Sequence, residues 1–105
     1  MIGLIQVSAD LKPLIARTID NSDPYMNRVR VEFTNGYVLS IVRGDYSYGG
    51  DDGLFEIALI NQQQELDGSL FDEGDRVDDV LGYCDLEKIN HYVRKLAYLP
   101  AKGVK

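Results

Sequence analysis

One cysteine and one histidine in 105 residues remove several classes of protein at once. Cys84 has no partner in the chain, so an internal disulfide framework is excluded, which fits a reducing compartment. Cys84 and His91 together cannot supply the nitrogen and sulfur ligands of a zinc site. No apolar run approaches the ~20 residues needed to span a bilayer. The opening Ile2-Gly3-Leu4-Ile5-Gln6-Val7 is too short, and lacks the basic start, of a secretory signal. These shortages predict a soluble, cytoplasmic protein. At this length the expectation is a single domain over residues 1–105 with one modest core.

Basic charge is also scarce where it would matter for nucleic acid. The net charge is −6. Residues 1–43 carry five basic and four acidic side chains, and residues 85–105 carry five basic and two acidic. Residues 44–84 hold a single basic residue, Arg76, against eleven acids. A surface built from that segment repels nucleic acid and anionic membrane and attracts basic partners. The bland reading is a solvated, solubilising loop, which is what most charge runs are.

The best-determined element is a hairpin. Val29, Val31 and Phe33 alternate with Arg28, Arg30, Glu32 and Thr34; after Asn35-Gly36, Tyr37, Leu39 and Ile41 alternate with Val38, Ser40 and Val42. A two-residue Asn-Gly turn would put Tyr37, Leu39 and Ile41 on the face of Arg30 and Glu32. A three-residue loop, Thr34-Asn35-Gly36, pairs Phe33 with Tyr37, Val31 with Leu39 and Val29 with Ile41, and makes one face wholly apolar. The hydrophobic pattern selects the three-residue loop, with Gly36 in the left-handed region.

Phe55, Ile57 and Leu59 extend that face from a further strand over residues 54–60, and residues 1–7 offer a possible fourth. Residues 62–79 are polar and weakly patterned, with Leu70-Phe71 as a local apolar pair able to pin them to the core. Near the N-terminus, Ser8-Ala9-Asp10 supplies capping chemistry, and Leu11, Leu14, Ile15 and Ile19 follow helical spacing. They predict a short amphipathic helix over 11–20, with Pro13 in its first turn and Asp23-Pro24 beyond its end. Asp85 caps a final helix with Leu86, Ile89, Tyr92, Val93, Leu96 and Leu99 along one stripe. Lys95 suits its C-terminal dipole, and Pro100 stops it. Residues 100–105 read as a frayed tail. The fold expected is α+β: an antiparallel meander of three or four strands, a C-terminal helix across one face and a short N-terminal helix.

Catalytic signals are poor. His91 falls beside the helix's apolar stripe without a sequence-local partner, and reads as a boundary histidine. Cys84 reads as a packed thiol. Asp72-Glu73-Gly74-Asp75-Arg76 lacks the alternating ligands of a calcium loop and contains a cation, so no metal site and no cofactor is expected.

The most distinctive stretch is the loop Arg43-Gly44-Asp45-Tyr46-Ser47-Tyr48-Gly49-Gly50-Asp51-Asp52-Gly53. Four of its eleven residues are glycine, and its tyrosines and arginine are residue types common in recognition surfaces. It joins two strands, precedes no helix and lacks the lysine of a phosphate loop, while its aspartates oppose an anion. A ligand or partner loop comprising Arg43, Asp45, Tyr46, Ser47, Tyr48, Gly49 and Gly50 stands beside a plain hairpin connection folded back on itself.

Phe33-Thr34-Asn35-Gly36-Tyr37 through Ser40-Ile41-Val42-Arg43-Gly44, then Tyr46-Ser47-Tyr48-Gly49-Gly50 and Gly53-Leu54-Phe55-Glu56, resembles small uncharacterised accessory proteins encoded by bacteriophages and prophages. The likeness covers roughly residues 29–99 and weakens into Asp78-Asp79-Val80-Leu81-Gly82-Tyr83. That group supplies no catalytic or binding residues to carry over. The resemblance implies work in a host bacterial cytoplasm during infection or lysogeny. The leading functional expectation is therefore a non-enzymatic protein that binds and modulates a host protein with a basic surface, in an anti-defence (anti-CRISPR-like) role. One version is nucleic-acid mimicry, with Asp67, Asp72, Glu73, Asp75, Asp78 and Asp79 standing in for phosphates. The alternatives are a small-ligand or nucleotide-sequestering protein using the 43–53 loop, and a virion or assembly component. A homo-oligomer through an exposed edge strand is compatible with each.

Overall fold

The hairpin's hydrophobic alternation sets the frame on which everything else is placed. The computed structural model describes residues 7–44, 50, 53–75 and 79–101. Strand β2 (Met26–Phe33) pairs antiparallel with β3 (Val38–Gly44), with Val29 opposite Ile41 and Val31 opposite Leu39. The Phe33 amide donates to the Tyr37 carbonyl at 3.0 Å, the Gly36 amide donates to the Phe33 carbonyl at 3.1 Å, and Gly36 has φ of 95°. The connection is the three-residue loop that the apolar pattern selects.

β4 (Phe55–Ile60) pairs with β3, and two further strands flank this trio. β1 (Ile15–Asp20) pairs with β2, and β5 (Val80–Cys84) pairs with β4. The result is a five-stranded antiparallel sheet in sequence order, followed by one helix, α1 (Leu86–Ala97). Val29, Val31, Phe33, Leu39, Ile41, Phe55, Ile57 and Leu59 all lie on one face and are all buried. The helix covers that face with Ile89, Tyr92, Val93 and Leu96, while Leu11 from the segment before β1 and Phe71 from the β4–β5 connection close the core. Burying side chains of this kind stabilises by about 1.5–3 kcal/mol each, so this layer contact dominates the fold.

Two sequence expectations are corrected. Residues 11–20 are not a helix: Lys12–Leu14 form one 3-10 turn and Ile15–Asp20 form β1. The apolar spacing misleads because β1 carries a bulge: Ile15 pairs with Phe33 and Arg17 with Glu32, so Ala16 is an extra residue. The bulge shifts the period-two pattern and sends Ile15 and Ile19 to opposite faces. Pro13 and the β-branched Ile15, Thr18 and Ile19 then favour an extended run with a hydrogen-bonding neighbour. The strand count is five instead of three or four, because β1 and β5 were not recognised as strands. Of residues 1–7, expected as a possible fourth strand, Val7 is exposed and outside any strand, and residues 1–6 lie outside the described residues.

The helix begins and ends where its residues dictate. Asp85 accepts from the Lys88 amide at 2.8 Å as N-cap. Of the expected stripe, Leu86 alone stands half out in solvent, at 50 % exposure. At the C-terminus, where four carbonyls lack intrahelical donors, the buried Asn35 side chain reaches across from the β2–β3 turn. Its amide nitrogen donates to the carbonyls of Leu96 at 2.7 Å and Leu99 at 2.9 Å, and its oxygen accepts from the Tyr37 amide at 3.1 Å. Gln62 seconds it, donating to the Asn35 carbonyl at 2.8 Å and the Pro100 carbonyl at 2.9 Å. Among the described residues no helix is long and apolar enough to cross a membrane.

Replacing Asn35 with alanine strips the side-chain donor from the Leu99 carbonyl and leaves the Leu96 carbonyl only its 3.3 Å bond from the Leu99 amide, and should lower stability by about 1–3 kcal/mol in urea denaturation. Asn35→Asp should cost more, because a carboxylate would face the same carbonyls. A loss below about 0.5 kcal/mol for the alanine variant would refute this role.

Candidate functional site

The helix that seals the core also organises most of the ionic chemistry. Its solvent-side basic residues, Lys88, His91 and Lys95, recur at intervals of three and four residues and therefore line one flank. The connection running past that flank carries Asp72 and Asp75, and the two sets interlock. Lys88 Nζ donates to both Asp75 carboxylate oxygens at 3.1 Å. Lys95 Nζ donates to Asp72 Oδ1 at 3.0 Å, and His91 Nε2 lies 2.7 Å from Asp72 Oδ2.

Between these pairs sits Tyr92, whose ring is fully buried against Phe71, the centroids 5.3 Å apart in an edge-on contact. Its hydroxyl donates to Asp75 Oδ2 at 2.6 Å and accepts from the Asp72 amide at 2.9 Å. The Lys95 hydrogen bond, with that of His91, holds the Asp72 carboxyl below the usual range; the Tyr92 hydroxyl, with Lys88, does the same for Asp75. Burial and the adjoining Asp75 carboxylate push the Tyr92 phenol well above its ordinary value. On the opposite flank Arg94 donates to Asp10 Oδ2 at 2.8 Å and to Ser8 Oγ at 3.0 Å, and the Tyr98 hydroxyl also bonds Asp10.

The six acids expected to form a partner surface thus fall into different settings. Asp72 and Asp75 hold the connection to the helix. Asp67 caps the 3-10 turn Gly68–Leu70, accepting from the Ser69 amide at 3.0 Å. Glu73 and Asp79 are exposed, and Asp78 lies outside the described residues. The sequence reading missed Asp85 and Glu87, which flank the same corner. With Asp72, Lys88 and His91 they line a shallow, open recess of about 330 Å3. The lining residues Asp72, Asp85 and Glu87 against Lys88 give the recess a net −2 with His91 counted as neutral. The spacing of Lys88, His91 and Lys95 was the available signal that part of the acidic run has an intramolecular counterpart.

The corner has a second unexpected feature. Phe55 pairs with Cys84 and Ile57 with Leu81, so Gly82 and Tyr83 together oppose the single Glu56. At this bulge Tyr83, not the adjoining glycine, takes the left-handed conformation, with φ of 57°. A bulky side chain there costs about 1–2 kcal/mol, yet Tyr83 is 63 % exposed and recovers little by packing. Leu86, also exposed, lies three residues on. Backbone strain of this kind clusters at functional sites.

Of the glycine-rich loop, Arg43, Gly44, Gly50 and Gly53 are described. The Arg43 guanidinium sits 5.0 Å above the Phe55 ring and donates to the Gly53 carbonyl at 3.5 Å, while the Gly53 amide donates to the Gly50 carbonyl at 3.1 Å. Arg43 therefore braces the base of the loop against the sheet. Asp45, Tyr46, Ser47, Tyr48 and Gly49 lie outside the described residues. Cys84 is buried, and desolvation pushes its thiol up to about 12, the setting of a packed side chain with no thiolate character.

No family model matches the chain, and no curated protein and no solved structure matches it.

Two measurements test the clamp. Tyr92→Phe should cost about 1–2 kcal/mol, since it strips a partner from the Asp72 amide and from Asp75. Asp72 and Asp75 have folded-state pKa values lowered from 3.8. Their contribution is therefore present above the unfolded value and is lost as pH falls below it. Stability measured between pH 6 and pH 2 should drop through the region below about 4. The drop should be shallower in Lys88→Ala, whose Asp75 titrates closer to its unfolded value. Parallel acid profiles for the two proteins would refute the clamp.

Proposed function

We propose that the chain is a non-enzymatic accessory protein of bacteriophage or prophage type that binds a host protein in the bacterial cytoplasm. Its partner is a protein with a basic surface, and inhibition of a host defence system is the role this reading favours. The single observation that carries it is the corner of β5 and α1. There an exposed tyrosine is held in a costly backbone conformation, beside an exposed leucine and a net-negative ring of carboxylates. Tyrosine anchors surrounded by polar groups are the usual form of an interface hot spot, and the carboxylates supply electrostatic attraction toward a cationic partner.

The internal pairing of Asp72 and Asp75 refines the mimicry version. Those two carboxylates are partly neutralised by Lys88, His91 and Lys95, so they shape the surface more than they charge it. Glu73, Asp85 and Glu87 stand closer to the exposed anchor in role: all three are exposed, and Asp85 commits one oxygen to its cap. The partner contact would thus combine an apolar-aromatic centre with an acidic rim, instead of a uniform row of phosphate-like charges.

The test is affinity capture from host lysate with tagged protein at low and high salt. Capture should weaken at high salt, because exposed charge pairs are screened beyond about 10 Å at 0.1 M. The double variant Glu73→Lys and Glu87→Lys should lose the partner. Tyr83→Asn should lose it too, while leaving stability unchanged or raising it by up to about 1 kcal/mol, since asparagine tolerates the left-handed region. A partner retained by both variants would overturn this assignment of the surface.

A further inference from the structure

Asn35 and Gly36 form the only Asn-Gly pair in the chain, and that dipeptide has a covalent chemistry of its own. Glycine sets no side chain beside its backbone nitrogen, so this nitrogen reaches the side-chain carbonyl of the preceding asparagine with little hindrance. In the reaction the Gly36 nitrogen gives up its proton and attacks Cγ of Asn35. An N–Cγ bond forms, the Cγ–Nδ2 bond breaks, and Nδ2 leaves as ammonia with a proton in place of its lost carbon. Water then opens the cyclic imide at either carbonyl. One product is an aspartate; the other is an isoaspartate, whose backbone runs through the former side chain. Water is consumed and ammonia released, and no oxidant or reductant takes part.

In the folded chain every polar group that this reaction must move is held. The Gly36 amide donates to the Phe33 carbonyl at 3.1 Å, and the Asn35 backbone carbonyl accepts from Gln62 at 2.8 Å. The leaving nitrogen donates to the Leu96 and Leu99 carbonyls at 2.7 and 2.9 Å, and the side-chain oxygen accepts from the Tyr37 amide at 3.1 Å. Asn35 is 7 % exposed, so water has little access to the side chain. Swinging Cγ onto the Gly36 nitrogen would break the bonds to Phe33, Leu96 and Leu99 together, a cost that only an opened turn avoids.

We propose that Asn35-Gly36 is a deamidation site that the fold holds shut, so that opening of the β2–β3 turn exposes the chain to irreversible self-modification. The amide that would be lost is the one that fixes the helix C-terminus. Either product sets a carboxylate where a donor is needed, against the Leu96 and Leu99 carbonyls. Isoaspartate also lengthens the backbone of the turn that sets the hairpin register. Refolding is then blocked, and unfolding becomes irreversible through chemistry on the unfolded chain. In the native protein the rate is that of the open form multiplied by its population. The working life of the chain is thereby tied to its stability, and whatever binds the folded state prolongs it.

The test incubates the wild-type chain at mildly alkaline pH, in native buffer and in concentrated guanidinium chloride, and follows each asparagine by peptide mass mapping. Asn21-Ser22, exposed in the β1–β2 loop, is the internal reference. The ratio of Asn35 to Asn21 conversion should be at least about tenfold lower in native buffer than in denaturant, a factor that needs an opening free energy of only about 1.4 kcal/mol. Chain aged in denaturant and then diluted should refold in a fraction that falls in step with Asn35 conversion, whatever the state of Asn21. The folded material recovered by size exclusion should carry unmodified Asn35. Equal conversion ratios in the two conditions would overturn the proposal, and so would deamidated chain that refolds like fresh chain. Neither measurement involves Tyr83 or a partner, so the reading of the β5–α1 corner stands or falls separately.

Discussion

The Asn35 side chain is the constraint on which the rest of the molecule depends. Apolar burial draws an amphipathic helix onto a sheet, but it is non-directional and leaves the helix free to slide or rotate. A buried amide that must satisfy helix-terminal carbonyls is directional, because leaving either partner without its hydrogen bond costs more than the bond itself contributes. Asn35 does this from the tightest point of the β2–β3 turn, where its own oxygen is fixed by the Tyr37 amide. The hairpin register therefore sets the helix position. Once the C-terminus is fixed, Tyr92 reaches the 72–75 segment and Arg94 reaches Ser8 and Asp10. The segment before β1 and the β4–β5 connection are then held on opposite flanks of the same helix.

This arrangement changes what the chain's acidity means. A run of carboxylates in sequence suggests one continuous negative surface. In three dimensions Asp10, Asp72 and Asp75 are each matched to helix cations, so much of the apparent field is spent internally, near the core rim. Asp85 and Glu87 stand at the N-terminal end of the helix, where their charge also favours the helix dipole. Fold stability and surface charge are coupled here: weakening the ion pairs would both loosen the 72–75 segment and make the corner more negative.

The legible parts of the fold were those where one periodicity ran uninterrupted. Val29, Val31 and Phe33 against Leu39 and Ile41 fixed the hairpin, its turn and its register, and Asp85 with Ile89, Tyr92, Val93 and Leu96 fixed the helix. β1 and β5 were hidden for a shared reason: each contains a bulge, at Ala16 and at Gly82-Tyr83, that breaks the alternation on which a strand is recognised. The candidate site was half legible. Acid enrichment pointed to residues 72–79, but the pairing of Asp72 with Lys95 spans 23 residues, and that of Asp75 with Lys88 spans 13. No local pattern reports such contacts. The left-handed Tyr83 was hidden by its neighbour, since Gly82 is the residue that backbone sterics would nominate for that conformation.

The corner of β5 and α1 brings two constraints together. Tyr83 is held in the left-handed region by the bulge opposite Glu56, and the adjoining Asp72 and Asp75 are held by Lys95, Lys88 and Tyr92 of the helix that follows. A single corner with one exposed tyrosine and a recess of about 330 Å3 is small for a stable protein interface. A partner contact of the kind proposed would therefore draw its affinity from rigid presentation of the anchor more than from area. The bulge and the ion pairs supply that rigidity, and a strained side chain is then a modest stability cost for a preorganised contact.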